Sequence, residues 1–255
     1  MANKKQQGKL FLVGLGPGEA EYLTAAALKA LEESDVIVGF RAYIEQAGDL
    51  LSGKELVSME LGQEMERASK AVDLAYSGRV VSVVSSGDAG IYGMSGPVFQ
   101  VLKGLEWDGI SPQVETVPGI SAMQSAAALL GAPLMQDFCA ISLSDLMTPW
   151  TAITQRLEAA AKGDFVVALY NPRSRTRDWQ LLEARRILLE HRSGDTPVGI
   201  VKDAFRPGQQ VTITDLDGLE GIIEEINMVT TVVIGNSTTY MLNGHIATPR
   251  GYRDK

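Results

Sequence analysis

"FLVGLGPGEAEYLT", Phe11 to Thr24, decides how the chain begins to fold. A short, continuously apolar run ends in glycines, and a helix-forming segment follows. Such a run reads as a strand buried on both faces. Gly14, Gly16 and Gly18 invite comparison with the G-x-G-x-x-G dinucleotide turn. The position that needs the third glycine of that turn holds Glu19. Pro17 removes a backbone N–H where a pyrophosphate needs donors, and Glu19 sets a carboxylate beside it. The spacing argues against a nicotinamide cofactor and an oxidoreductase. It favours a ligand that needs close backbone approach and carries no phosphate. A tight strand-to-helix turn with no ligand explains the same glycines equally well.

Downstream, strand-like and helix-like segments alternate. "LTAAALKALEES" reads as a helix with Thr24 as N-cap, and "DVIVGF" as the next strand. "MERASKAVDLAYSG" reads as a helix stopped by Gly78. "RVVSVVSSGD" and "VETVPG" read as strands, and "SAMQSAAALLG" as a helix between Ser121 and Gly131. The pattern restarts with the strand "DFVVALYNP" and the helix "WQLLEARRILLEH". That helix turns Leu181, Ala184 and Leu188 inward. "PVGIVKDA", "QQVTITDL" and "MVTTVVIGNS" read as further strands. This alternation implies an α/β protein with largely parallel sheets. "GAPLMQDF", residues 131–138, is the candidate linker, giving domains over 1–132 and 133–255.

Composition narrows the function. The 255 residues carry a net charge of −8, a poor basis for binding nucleic acid. The lone cysteine, Cys139, excludes an intramolecular disulfide, and two histidines far apart make a protein-built metal site unexpected. No apolar run is long enough to span a bilayer. The basic leader "MANKKQQGK" lacks a signal-peptide core, so the expected location is the cytoplasm, with no membrane partner. His191, His245 and Cys139 are read as structural.

Four loops fall at strand ends: Gly14–Gly18, Ser85–Asp88, Pro118–Ser121 and Tyr170–Pro172. In open α/β sheets ligands bind beyond the carboxyl ends of strands, so these loops are expected to line one cleft. Asp88 suits a ribose hydroxyl or an ammonium, or simply a helix cap. Arg173, Arg175 and Arg177 alternate in "LYNPRSRTRDW", where guanidinium groups suit carboxylates or phosphates; a solvated basic loop is the plainer alternative. Arg41 and Tyr43 follow another strand.

"VGLGPGEAEYLT", "SSGDAGIYGM", "VPGISAM", "ALYNPRSRTR" and "DAFRPGQQVTITDL" follow one another in the order seen in S-adenosylmethionine-dependent tetrapyrrole methyltransferases. The resemblance runs from Lys9 to about Tyr252. It is strongest to the branch that methylates C17 of precorrin-3B, or of cobalt-precorrin-3, in cobalamin biosynthesis; "DFCAISLSDLMTPW" and "LYNPRSR" carry that likeness. The resemblance implies two α/β domains with the active-site cleft between them, a homodimer, and methyl transfer with ring contraction to the precorrin-4 level. It implies cofactor contacts at Pro17, Ser86, Gly87, Asp88, Ile91, Ser121, Ala122 and Asn171, with Ala204 and Gly235 lining the adenosine end. Relatives often carry methionine where Asn171 stands. Arg41, Arg173 and Arg175 would hold the substrate's acetate and propionate groups. Contraction requires proton movement, for which Asp88, Ser85, Tyr43 and Asp203 are the candidates. No metal is expected on the protein; any cobalt would arrive in the substrate. The alternative is a methyltransferase of the same fold acting on another precorrin position or on a target that is not a tetrapyrrole.

Overall fold

The computed structural model describes residues 7–252. Residues 1–6 of the basic leader lie outside the described residues. The chain divides into two compact units, Met1–Ala122 and Met123–Lys255. This division falls earlier than the 132/133 boundary expected from the sequence.

The first unit runs β1 (Lys9–Gly14), α1 (Ala25–Glu33), β2 (Val36–Phe40), α2 (Arg41–Ala47), β3 (Glu55–Met59), α3 (Glu64–Tyr76), β4 (Val80–Ser85), α4 (Ser95–Gly104) and β5 (Gln113–Val117). The strands form one parallel sheet in the order β3-β2-β4-β1-β5. Alternation along β1 explains its unbroken apolar run. Leu10 and Leu12 pack with Ala68, Val72, Val98 and Leu102 of α3 and α4. Phe11 and Val13 pack on the other face with Ala27 and Leu31 of α1 and Ile44 of α2. Thr24 is the N-cap of α1: its Oγ1 accepts the Ala27 N–H at 3.0 Å. Gly78 takes φ +96° just beyond α3, a conformation that suits glycine.

The second unit runs α5 (Ala122–Leu130), β6 (Gly131–Ala132), β7 (Phe138–Ser142), α6 (Trp150–Lys162), β8 (Val166–Tyr170), α7 (Gln180–Leu189), β9 (Pro197–Lys202), β10 (Gln210–Asp215), β11 (Thr230–Ile234), β12 (Tyr240–Leu242) and β13 (His245–Ala247). Its main sheet has the order β10-β9-β11-β8-β7. Only β7 and β8 pair in parallel; β10–β9, β9–β11 and β11–β8 are antiparallel. The expectation of largely parallel sheets is corrected here. The seven residues 203–209 between β9 and β10 are too short for a crossover, so the chain turns back.

Helices α6 and α7 cover one face, burying Ile153, Leu157, Leu181 and Leu188 against Val167, Leu169 and Ile200. On the other face Ala126 and Leu130 of α5 pack with Val166, Val201, Val233 and Ile246. That packing assigns α5 to the second unit. The expected linker starts as β6, which pairs with β13. The buried Arg192 ties the base of this unit together. It donates from Nη1 to the Gly235 carbonyl at 2.6 Å and from Nη2 to the carbonyls of Ala160 and Phe165. Burial pulls its pKa below the usual arginine value, with Asp164 opposing.

Candidate active site

In the first unit, α1 leaves β1 towards one face of the sheet and α4 leaves neighbouring β4 towards the other. Such a divergence opens a crevice at the carboxyl ends of the strands. Three of the four expected loops meet there. Leu15 N–H donates to the Ser85 carbonyl at 2.8 Å, and Gly16 and Gly87 exchange backbone bonds at 3.0 and 2.8 Å. The third loop is joined by a carboxylate. Asp88 accepts the Gly90 N–H on Oδ1 at 2.8 Å and the Gly119 N–H on Oδ2 at 3.0 Å. Thr24 Oγ1 also donates to the Pro118 carbonyl at 3.3 Å. A Cβ on Gly14 would lie 2.6 Å from the Gly87 oxygen and 2.7 Å from the Gly119 nitrogen. The three loops can approach this closely because glycine stands at their meeting points.

Around this node the structure gathers Pro17, Ser85, Ser86, Gly87, Asp88, Ser121 and Ala122 in one region of the first unit. Ile91 follows on the same loop and is 37% exposed. Ser85 is buried, and its Oγ accepts the Met94 N–H at 3.0 Å, so it holds the start of α4. Tyr43 stacks edge-on against Phe40 at 5.1 Å and lines a small recess with Leu15, Gly16, Leu23 and Ser86. No residue lining that recess is charged. Arg41 is exposed and ion-pairs with Glu60.

The remaining sequence-derived residues belong to the second unit. Antiparallel register brings the carboxyl ends of β8 and β9 and the amino end of β11 to one edge of the sheet. Asn171, Asp203 and Ala204 lie at that edge. Gly235 follows β11 at the opposite edge, where its N–H donates to the Pro197 carbonyl and its carbonyl accepts from Arg192. The structure therefore separates Gly235 from Ala204, which the resemblance had grouped. Asn171 takes φ +51° and donates from Nδ2 to Ser142 Oγ at 3.0 Å. Asp203 also has positive φ, +49°.

The alternating arginines part ways. Arg177 is buried, donating from Nε to the Asn171 carbonyl at 3.2 Å and from Nη2 to Met228 Sδ at 3.0 Å. Burial lowers its pKa, with Asp145 opposing. Arg173 donates to the Ile223 carbonyl at 3.2 Å and to Glu224 at 2.7 Å. Arg175 is exposed on the same groove. Tyr170, named only as the edge of the fourth expected loop and not as a site residue, accepts the Met123 N–H on its hydroxyl at 3.0 Å and so caps α5. Gly119 was also missed, although a glycine beside Pro118 at a strand end is the signal of close approach. Among the described residues no group of three or more His, Cys, Asp or Glu is arranged to hold a metal ion.

The first unit's arrangement suits S-adenosylmethionine better than a dinucleotide. Pro17 offers no N–H, and the Asp88 carboxylate already takes two amides. S-adenosylmethionine carries no phosphate: its charges are a sulfonium, an α-ammonium and one carboxylate, so it does not ask these loops for a diphosphate cradle.

Comparison with known proteins adds to this geometry. The family model "Tetrapyrrole (Corrin/Porphyrin) Methylases" matches residues 9–220. A protein of Priestia megaterium named "Cobalt-factor III methyltransferase" is 49% identical over 98% of this chain. The match spans only 46% of that longer relative. A Salmonella typhimurium protein named "Probable cobalt-factor III C(17)-methyltransferase" is 42% identical over 95% of this chain and 99% of its own length. Among solved structures, that of the methyltransferase CobJ superposes with a TM-score of 0.87 at 36% identity, covering 94% of this chain and 98% of that one.

Proposed function

The chain belongs to the tetrapyrrole (corrin/porphyrin) methylases, and from that membership we propose that it methylates C17 of a tetrapyrrole in cobalamin biosynthesis. The methyl donor is S-adenosylmethionine. The acceptor is at the precorrin-3 level, either precorrin-3B or its cobalt-containing counterpart, and the product is the ring-contracted precorrin-4 level. The observation that carries this reading is the Asp88–Gly119 lock, which draws the loops after β4 and β5 together beside the Gly16–Gly87 bridge.

S-adenosylmethionine, when bound, supplies a methyl group on a sulfonium, ready for direct displacement. This chain's residues have to bind, align and exclude water rather than form a covalent bond. Pro17, Ser86, Gly87, Asp88, Ile91, Ser121 and Ala122 would hold the cofactor in the first unit. In the second unit Arg173 and Arg175 bind substrate carboxylates. Asp88, Ser85, Tyr43 and Asp203 are the proton-transfer candidates. Ser85 is occupied with Met94 N–H, and both Asp88 oxygens accept backbone amides.

Several features support the wider setting. The net charge of −8 fits a small-molecule substrate better than a nucleic acid. The lone cysteine fits a reducing cytoplasm, and among the described residues no helix is long and apolar enough to cross a membrane. A homodimer completes the reading, with cobalt carried by the substrate and not by the protein. Calorimetry with S-adenosylhomocysteine tests the cofactor assignment: binding is expected, and failure to bind would overturn it.

A further inference from the structure

Resting on that reading, we propose that Glu224 is a built-in stand-in for a substrate carboxylate, displaced from Arg173 when the substrate's acetate or propionate group arrives. Arg173 lies in a groove of about 550 Å³ in the second unit. Its Nη1 donates to the Ile223 carbonyl at 3.2 Å and its Nη2 to Glu224 Oε2 at 2.7 Å, while its buried Nε has no partner. Nε and Nη2 form one edge of the planar guanidinium, the edge a carboxylate grips with both oxygens. Glu224 uses a single prong of that fork.

The two partners are held very differently. The Arg173 side chain is 18% exposed and anchored to backbone; that of Glu224 is 81% exposed. The guanidinium is a fixed receptor, and the carboxylate can swing into water at small cost, because exposed ion pairs are weak. The rest of the groove defines the ligand. Ile226, Met228 and Val229 supply apolar wall beside the fork, and Arg175 is exposed with no ion pair among the described residues. An apolar scaffold bearing several carboxylates matches this lining. In a chain of net charge −8, such a polyanion needs local cations to be held. Glu224 also serves specificity. A simple carboxylate has to compete with it unaided, whereas a ring that also covers the apolar wall gains enough to expel it.

Titrating cobalt-factor III into the full chain and reading the Kd from its absorbance tests this, with calorimetric S-adenosylhomocysteine binding as the check on folding. Glu224→Gln is expected to tighten binding about three- to tenfold. Asp178→Asn, which removes another carboxylate from the groove, is expected to change it less than about twofold. Arg173→Lys keeps the charge but loses the fork, and should weaken binding about tenfold. On that background Glu224→Gln should give no tightening. An unchanged or weaker Kd for Glu224→Gln overturns the proposal, as does equal tightening by Asp178→Asn. A wild-type chain that binds S-adenosylhomocysteine but not cobalt-factor III overturns the substrate assignment itself.

Discussion

Gly16 and Gly87 exchange both of their backbone hydrogen bonds, at 3.0 and 2.8 Å, although 70 residues of chain lie between them. Both have positive φ, +68° and +67°. The bridge fixes the loop after β1 against the loop after β4, and Gly119 packs beneath it. Three glycines thus set the shape of the proposed cofactor site before any side chain contributes.

Alanine at these glycines should harm the protein in a definite order. A Cβ at Gly119 would lie 2.2 Å from the Gly87 oxygen, and one at Gly16 2.8 Å from the Tyr22 oxygen; at Gly87 the nearest atom is 3.5 Å away. Gly119→Ala should cost about 3 kcal/mol, the upper end of overpacking. Gly16→Ala should follow, and Gly87→Ala should cost about 1 kcal/mol from backbone strain alone. Thermal unfolding measures the ranking, and its reversal would refute the packing argument.

Asp88 separates loop-holding from proton transfer. Asp88→Ala strands two amides, and Asp88→Asn offers a single carbonyl oxygen where the carboxylate offered two acceptors. S-adenosylhomocysteine affinity should fall about tenfold in Asp88→Asn and further in Asp88→Ala. If Asp88 served only to move a proton, turnover would fall while that affinity held.

Arg192 should be indispensable to the second unit. Two of its three carbonyl partners, those of Gly235 and Ala160, are buried with it, so Arg192→Met leaves them unpaired and should cost about 3 kcal/mol. Arg192→Lys cannot span all three and should recover only part of the loss. Scanning calorimetry would show the effect as a lowered transition.

Cys139 gives a pH dependence. Burial raises its thiol pKa, opposed by nearby Arg192. The unfolded chain therefore loses this proton first as pH rises. The contribution from burying a neutral thiol is present below about pH 8.5, the ordinary thiol value, and is lost above it. Iodoacetamide at pH 8 should alkylate the native protein about tenfold more slowly than the urea-unfolded chain. Equal rates would place the thiol in water.

The first unit was the more legible in the sequence. β1, β2 and β4 are buried on both faces and read as apolar runs, and Thr24 and Gly78 bound their helices as expected. β3 escaped notice because it is a mostly exposed edge strand with little apolar pattern. α4 was obscured by Gly96, Pro97 and Gly104. Pro97 lies in its first turn, where a missing N–H costs nothing.

The second unit misled on strand direction. The signal was present in "RPGQQ", a Pro-Gly turn between two strands, and such a short link makes an antiparallel pair. Gly235 and Ala204, grouped by the family resemblance, lie at opposite edges, since antiparallel strands send their carboxyl ends to opposite edges. The alternating arginines read as one basic cluster, but only packing reveals that Arg177 is buried and bonded to the Asn171 carbonyl while Arg175 is exposed.

The most direct test is a single turnover with methyl-labelled S-adenosylmethionine and cobalt-factor III, read by mass spectrometry. The expected result is a tetrapyrrole that gains one labelled methyl group, placed at C17, together with S-adenosylhomocysteine. Recovery of unlabelled cobalt-factor III, from enzyme that binds both ligands, would contradict it.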